Sequence, residues 1–388
     1  MRILMISYNQ VGRGTYLRTY EFARELVKLK HNVTILADSN LKNSNFKSWQ
    51  SHGVNIIEFP SLFNKYIGSC WDPYSIMSRI NWLEPEDYDI VHGFESRPTV
   101  IFPALRLKKK GIPLVLDWCD FFGKGGSVEE RTNRLFKTLY RPLETYFEND
   151  YRSKANANTV VCRILYKRAI EMGANQEKIR IIRNGYNMRG WDLIPKDLGR
   201  DFLGYGQKDF IIGYVGALFS KDANLMAKAF EEILQRLPNA KLLHLGRSNF
   251  WPKFSNQSIN ITGPVNDLYL RKGLAACDIC WLPLSDIPAN WGRFPLKFSA
   301  YLSAGKPVIT TNVGDIPDLV NKFQVGITSL ANSHSLAEQT LKLASKPEKI
   351  QFYSEEAKKL SEIPEESWES RANELLQLYE IIMTKFEV

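Results

Sequence analysis

The sequence predicts an α/β protein built from two parallel-sheet units. Three observations predict it. The chain has 388 residues, and a single core stops growing near ~250–300 residues, so two units are expected. Short apolar, β-branched runs alternate with stretches of helical spacing, as in a parallel sheet covered on both faces. The alternation restarts after a polar stretch near residues 190–208. Apolar residues make up 44% and charged residues 24%, which excludes a disordered or fibrous chain.

Residues 2–8 (RILMISY) read as a buried first strand. The apolar run at 3–7 is too short for a signal-peptide core, and no run approaches the ~18 residues of a membrane span. Residues 15–30 place Tyr16, Leu17, Tyr20, Phe22, Ala23, Leu26 and Val27 at helical spacing. Strands follow at 33–37, 54–59 and 89–93, then a helix over 98–109 opening at Pro98, then a strand at 113–118. Strands at 159–162 and 179–182 complete seven. Residues 131–149 mix Leu, Phe and Tyr with basic residues; they suit an interfacial amphipathic segment, or core packing with a solvated face. Pro142 is expected to interrupt a long helix there.

The second unit opens with a strand at 210–215 and a helix at 223–237. Strands at 241–245, 259–262 and 279–284 follow, then a helix at 295–304 and strands at 307–311 and 325–329. Residues 332–346, 348–360 and 367–386 are expected to be helical. The expected division is 1–188, 189–366 and a C-terminal helix over 367–388.

Net charge is +9, and its location is uneven. Residues 1–189 hold 29 Lys and Arg against 19 Asp and Glu; the remainder holds 22 against 23. A basic first half attracts phospholipid headgroups, lipid phosphates or nucleic acid, or is simply a solvated surface. No nucleic-acid recognition motif accompanies the charge. Five cysteines, an odd number in a long chain, argue against a disulfide framework and for a reducing cytosol. The expected location is therefore cytoplasmic, with peripheral contact at the inner face of the membrane as an option. Cys277 and Cys280 have CxxC spacing, but one pair at the start of a buried strand reads as core rather than metal, and no metal site is expected.

Three segments are candidate anion sites. Gly12, Arg13 and Gly14 lie between the first strand and its helix, where glycines let amides approach a phosphate or merely shape a turn. The dinucleotide fingerprint is incomplete, because its third glycine position is Leu17 and only Asp38 lies near a ribose-binding place. Residues 213–221 (GYVGALFSK), including Gly216, end a strand, and Lys221 can neutralise a diphosphate. Arg293 and Lys297 flank Pro295 at a helix start, where a cation opposes the helix dipole unless an anion is bound nearby. Asp117 and Asp120 bracket the end of the fifth strand and can orient a hydroxyl, act as a base or cap a loop. His92, near a strand end, can line a cleft, whereas His244 and Lys306 read as structural.

These segments, in this order, resemble the GT-B glycosyltransferases, in particular retaining family 4. Residues 12–26 (GRGTYLRTYEFAREL), DIVH at 89–92, IIRNGY at 181–186, residues 213–218, PLKFSAYLSAGKPV at 295–308 and TNVGDIPDLV at 311–320 carry the resemblance. It implies two Rossmann-like domains facing a central cleft. It implies a nucleotide-sugar on the second domain, an acceptor mostly on the first, and a final helix with Trp368 and Tyr379 packed back on the first. It implies sugar transfer to an acceptor hydroxyl with retention and without a metal or other cofactor. UDP or GDP is the expected donor nucleotide, and a glycan, lipid-linked or phosphate-bearing molecule the expected acceptor.

On this resemblance Gly12, Arg13, Gly14, Gly216, Lys221, Arg293 and Lys297 are donor-binding candidates. Asp117, Asp120, His92 and Lys221 are catalytic candidates. The sequence also departs from the family. Its paired glutamates fall at Gly292 and Ala300, and the arginine of its donor strand falls at Ala217. A non-catalytic partner subunit of another transferase, or a nucleotide-sugar epimerase on the same fold, are the alternatives.

Overall fold

The computed structural model describes residues 1–39, 45–63, 69–83, 88–131, 133–186, 193–247 and 258–384. The chain divides into two compact units. The first comprises Met1–Asn184, Gly292–Phe294 and Trp368–Val388, and the second Gly185–Trp291 and Pro295–Ser367. The expected boundary at 188/189 lies outside the described residues.

Among the described residues of the first unit, eight strands form one sheet: β1 (Arg2–Gln10), β2 (Asn32–Asp38), β3 (Lys47–Ser51), β4 (Val54–Phe59), β5 (Ile90–Phe94), β6 (Leu114–Trp118), β7 (Ala157–Val160) and β8 (Ile179–Ile181). Their order is β3-β4-β2-β1-β5-β6-β7-β8. All pair in parallel except β3, which runs antiparallel to β4. The central strands are buried along their length, with Ile3 to Ile6, Val91 and Leu114 to Leu116 inaccessible. That double-sided burial is why they read as unbroken apolar runs. The C-terminal helix Trp368–Thr384 belongs to this unit: the Trp368 ring meets Phe22 edge-on at 5.3 Å between centroids.

Two expectations need correction here. β3 (KSWQS) is an edge strand whose side chains are largely exposed, so no apolar run announces it. Residues 134–150 form one helix with Pro142 inside it. The ring removes a bond to the Thr138 carbonyl, but both residues are exposed, so water can satisfy that carbonyl. Asn133 caps the helix by accepting from the amides of Leu135 and Phe136 at 3.0 and 3.2 Å.

Among the described residues the second unit has six strands: β9 (Phe210–Val215), β10 (Ala240–Leu245), β11 (Ile259–Ile261), β12 (Ile279–Leu282), β13 (Val308–Thr311) and β14 (Gly326–Ser329). They are all parallel, in the order β11-β10-β9-β12-β13-β14. The polar stretch near 190–208 contains a helix, Lys196–Leu203. Its Arg200 is buried, bonded to the carbonyls of Gln207 and Asp209 and to Asp278. A charged residue at a core position hid that helix from its apolar pattern.

Among the parallel strands of each sheet the order reverses between β1 and β5 in the first and between β9 and β12 in the second. Ligands of open parallel sheets bind beyond the strand C-termini at such points. The fold thus nominates the ends of β1 and β5, and of β9 and β12.

Candidate functional site

At the reversal in the second unit, β9 delivers Gly216, Ala217 and Leu218 ahead of the helix Ser220–Arg236. Gly216 sits at φ +90°, a conformation that glycine adopts without strain. Gly246, after β10, passes so close that a Cβ there would stand 2.4 Å from the Gly216 carbonyl oxygen. The same oxygen accepts from His244 Nε2 at 2.7 Å. Burial pushes the His244 pKa down to about 4, and the charge of Lys297 adds to the effect. A neutral imidazole therefore holds the loop.

Lys297 places its Nζ 3.7 Å from the centre of the Tyr214 ring, and a Cβ on Gly216 would meet that amine at 3.9 Å. Lys297 and Gly216 thus come together, as two of the candidates. The helix Ser220–Arg236 has no side-chain cap at Phe219, so its first amides point outward at the β9 end. Lys221 is exposed in its first turn. Asp222, buried beside it, accepts from the Ser285 amide at 2.8 Å and from Asn290 Nδ2 at 3.2 Å, tying the loops after β9 and β12 together. Asp222 and the loop-holding role of His244 were not anticipated.

Arg293 belongs to the first unit and lies 3.1 Å from Glu130 and 3.7 Å from Asp120, so its charge answers two carboxylates there. Ala300 is buried in the helix Lys297–Ser303. Gly292 packs against Leu165, whose Cδ2 would stand 2.9 Å from an added Cβ.

At the reversal in the first unit, the turn Gly12–Gly14 is exposed, with φ of +77° and +51° at its two glycines. Asn9 Oδ1 accepts from the Thr15 amide at 2.7 Å and would lie 2.6 Å from a Cβ on Gly14. Asn9 thus occupies one amide that an anion would need. Arg13 donates to Gln10 Oε1 at 2.9 Å.

Behind this turn lies a buried polar network. Arg18 donates to both Asp117 oxygens at 2.9 and 3.0 Å, to Asn184 Oδ1 at 2.9 Å and to the Ile182 carbonyl at 2.7 Å. Burial opposes the charge of Asp117, yet the Arg18 guanidinium and its bonds hold the carboxyl below its usual range. Thr159 and Cys119 also donate to it. His92 is inaccessible, 2.6 Å from the Tyr379 hydroxyl, and burial pushes it down to about 3. Asp117 and His92, both catalytic candidates, are thus inaccessible in this structure, and their bonds are made within the first unit. Asp120, just past β6, is partly exposed, with its side chain 37% accessible.

Glu95 was missed. It follows β5 directly, with φ +75°, uncommon for a side chain of its size. Its Oε1 accepts from the amides of Cys119 and Asp120 at 2.5 and 3.0 Å, and its Oε2 lies 3.3 Å from Arg152. Burial raises its pKa to about 8 despite the Arg152 charge. Glu95 sets the backbone that presents Asp120. Its only sequence signal is an acid directly after a buried strand.

Among the described residues no group of three or more His, Cys, Asp or Glu side chains is placed to hold a metal ion. Cys277 and Cys280 are buried, and Lys306 donates to the Ala275 and Cys277 carbonyls at 2.8 and 2.9 Å.

Two family models match. Residues 13–189 match "Glycosyltransferase Family 4" and residues 209–346 match "Glycosyl transferases group 1". TuaH of Bacillus subtilis (strain 168), a protein named for teichuronic acid biosynthesis, is 26% identical over 221 residues, 55% of this chain and 53% of that protein. The UDP-Gal:alpha-D-GlcNAc-diphosphoundecaprenol alpha-1,3-galactosyltransferase of Escherichia coli is 26% identical over 274 residues, 65% of each. The matches thus span about half to two thirds of the length of these curated relatives. Among solved structures, the sucrose-phosphate synthase of Thermosynechococcus elongatus superposes with a TM-score of 0.76 at 16% identity, covering 99% of both chains. Anabaena HepE in complex with UDP-glucose superposes with a TM-score of 0.67 at 15% identity, covering 99% of both. With two parallel-sheet units of this topology and these matches over both, the chain belongs to the family 4 and group 1 glycosyltransferases of the GT-B fold.

Proposed function

We propose that the protein transfers a sugar from a nucleotide diphosphate to an acceptor hydroxyl in the synthesis of a cell-surface glycan or glycolipid. The observation that carries this reading is the turn at Gly216, held by His244 and Gly246, with Lys297 Nζ beside it and an uncapped helix following. In this reading the amides around Gly216 and the ammonium groups of Lys221 and Lys297 meet the diphosphate. Negative charge gathers on that diphosphate as the glycosidic bond breaks, and fixed donors aimed at it lower the barrier.

UDP is the proposed donor nucleotide. It is supported by the UDP-Gal in the name of the E. coli relative and by the UDP-glucose bound to HepE. A lipid-linked diphosphate acceptor is supported by the diphosphoundecaprenol in that same relative's name. The acceptor is assigned to the first unit, with Asp120 as the carboxylate near its hydroxyl, positioned by Glu95. Retention at the anomeric carbon and independence from metal belong to the same reading, as does work at the cytoplasmic side of a membrane.

The test incubates the pure chain with UDP-hexoses and a lipid diphosphate-linked sugar, with product mass and anomeric configuration as readouts. A product one hexose heavier, with the donor's configuration kept, supports the reading. Conversion of the donor alone to an isomer gives the site to an epimerase. One observation favours a second reading, a non-catalytic partner subunit: the places of the family's paired glutamates hold Gly292, packed on Leu165, and buried Ala300. Nucleotide binding without any turnover would support that reading instead.

A further inference from the structure

At the outer edge of the second unit's sheet, β14 and the helices Ile316–Phe323, Ser333–Ala344 and Pro347–Glu362 border a pocket of about 210 Å³. Lys342, Lys346 and Lys349 line it, and no Asp or Glu does. Lys346 is half-buried and the other two are exposed. None of the three ammonium groups has an ion-pair or hydrogen-bond partner among the described residues. Glu338, four residues before Lys342, pairs with Arg236 instead. The side chains of Thr328, Gln339 and Tyr353 line the same pocket and make no hydrogen bond among the described residues.

Three like charges brought together repel one another unless an anion answers them. The helix dipoles do not account for the cluster. Lys342 lies in the last turn of Ser333–Ala344, where a cation is favoured. Lys349 lies in the first turn of Pro347–Glu362, where a cation is opposed, and that helix start has no side-chain cap. The strand edge adds its backbone. The amides of Val308 and Asn312 bond to the Val325 and Ser329 carbonyls. A parallel ladder uses alternate residues, so Gly326 and Thr328, which line the pocket, turn their peptide groups to the open edge.

Size and chemistry select the ligand. The volume lies below the ~300–1,000 Å³ of pockets for drug-sized molecules, so the ligand is small. Lysine meets phosphate as a point charge. Amide and hydroxyl side chains beside the lysines suit a body that carries hydroxyl groups. We propose that this pocket binds a small phosphate-bearing molecule, with the phosphate on Lys342, Lys346 and Lys349. The site is separate from the Gly216 turn, because β14 lies three strands from β9, about 14 Å across the sheet. It does not rest on the donor reading.

The test titrates the full chain with inorganic phosphate, with mannose 6-phosphate and with mannose at constant ionic strength, and follows binding by calorimetry and by the shift in thermal unfolding. Both phosphate probes are expected to bind and mannose is not. Lys342→Gln with Lys349→Gln is expected to weaken both about tenfold or more, and Lys297→Ala, at the Gly216 turn, to leave them unchanged. Thermal unfolding without ligand checks that the variants fold. Tighter binding of mannose 6-phosphate supports a sugar phosphate as the ligand, and equal binding supports free phosphate. No binding of either phosphate probe overturns the proposal, as does binding that the double lysine variant keeps. Binding that Lys297→Ala removes and the double variant retains gives the phosphate to the Gly216 turn.

Discussion

Arg18 and Asp117 make a buried charge pair in the first unit, bonded as well to Asn184, the Ile182 carbonyl, Thr159 and Cys119. Their worth lies in being complete. Arg18→Met leaves a buried carboxylate facing Thr159 and Cys119 without its cation, and such a loss costs about 3–5 kcal/mol. Urea unfolding is expected to register that fall, and the Arg18→Met, Asp117→Asn pair to fall by less than the two single changes added. His244 offers a second residue-scale prediction, in pH. Its folded pKa near 4 lies below the usual 6.5. As pH falls below 6.5 the unfolded chain takes up that proton first, so its contribution is present above 6.5 and is lost toward pH 4. His244→Gln keeps an N–H for the Gly216 carbonyl but does not titrate. Relative to that variant, the wild type is expected to lose about 2 kcal/mol between pH 7 and pH 5. Equal pH slopes in urea denaturation would contradict the burial.

At the scale of elements, the close pass of Gly246 over Gly216 shapes the turn that is proposed to hold the donor. Gly246→Ala inserts a methyl group where a backbone oxygen stands. It is expected to cost about 1–3 kcal/mol in stability and, because the oxygen belongs to the turn itself, to weaken UDP binding at least tenfold by calorimetry. Pro142→Ala restores an amide to the helix Arg134–Asp150 and is expected to raise stability, as urea midpoints would show. The strands of both parallel sheets were legible because burial on two faces demands unbroken apolar runs. The exposed edge strand β3 gives no such run. The helix Lys196–Leu203 was hidden because its core contact is made by Arg200. Arg293 and Lys297 are four residues apart in the sequence yet fall in different units. Sequence distance does not tell that the chain gives Gly292–Phe294 to the first unit and resumes the second at Pro295. Gly216 and Lys297 were legible as single candidates, whereas Glu95 and Asp222 act through bonds to backbone amides, which no side-chain pattern records.

For the whole molecule, the family membership and the two reversal points locate chemistry without naming the sugar. The positive excess sits with the first unit's half of the sequence. The second half is nearly neutral, and its cations matter by placement, as Lys297 does beside Gly216. The central claim is that this turn binds a nucleoside diphosphate. Thermal unfolding with UDP, GDP, ADP, CDP and dTDP tests it most directly. UDP at ~100 times its dissociation constant is predicted to stabilise the chain by about 2.7 kcal/mol, and Lys297→Ala to remove most of that shift. A shift from another nucleotide alone would move the base and keep the site. No shift from any of the five would contradict the donor site itself.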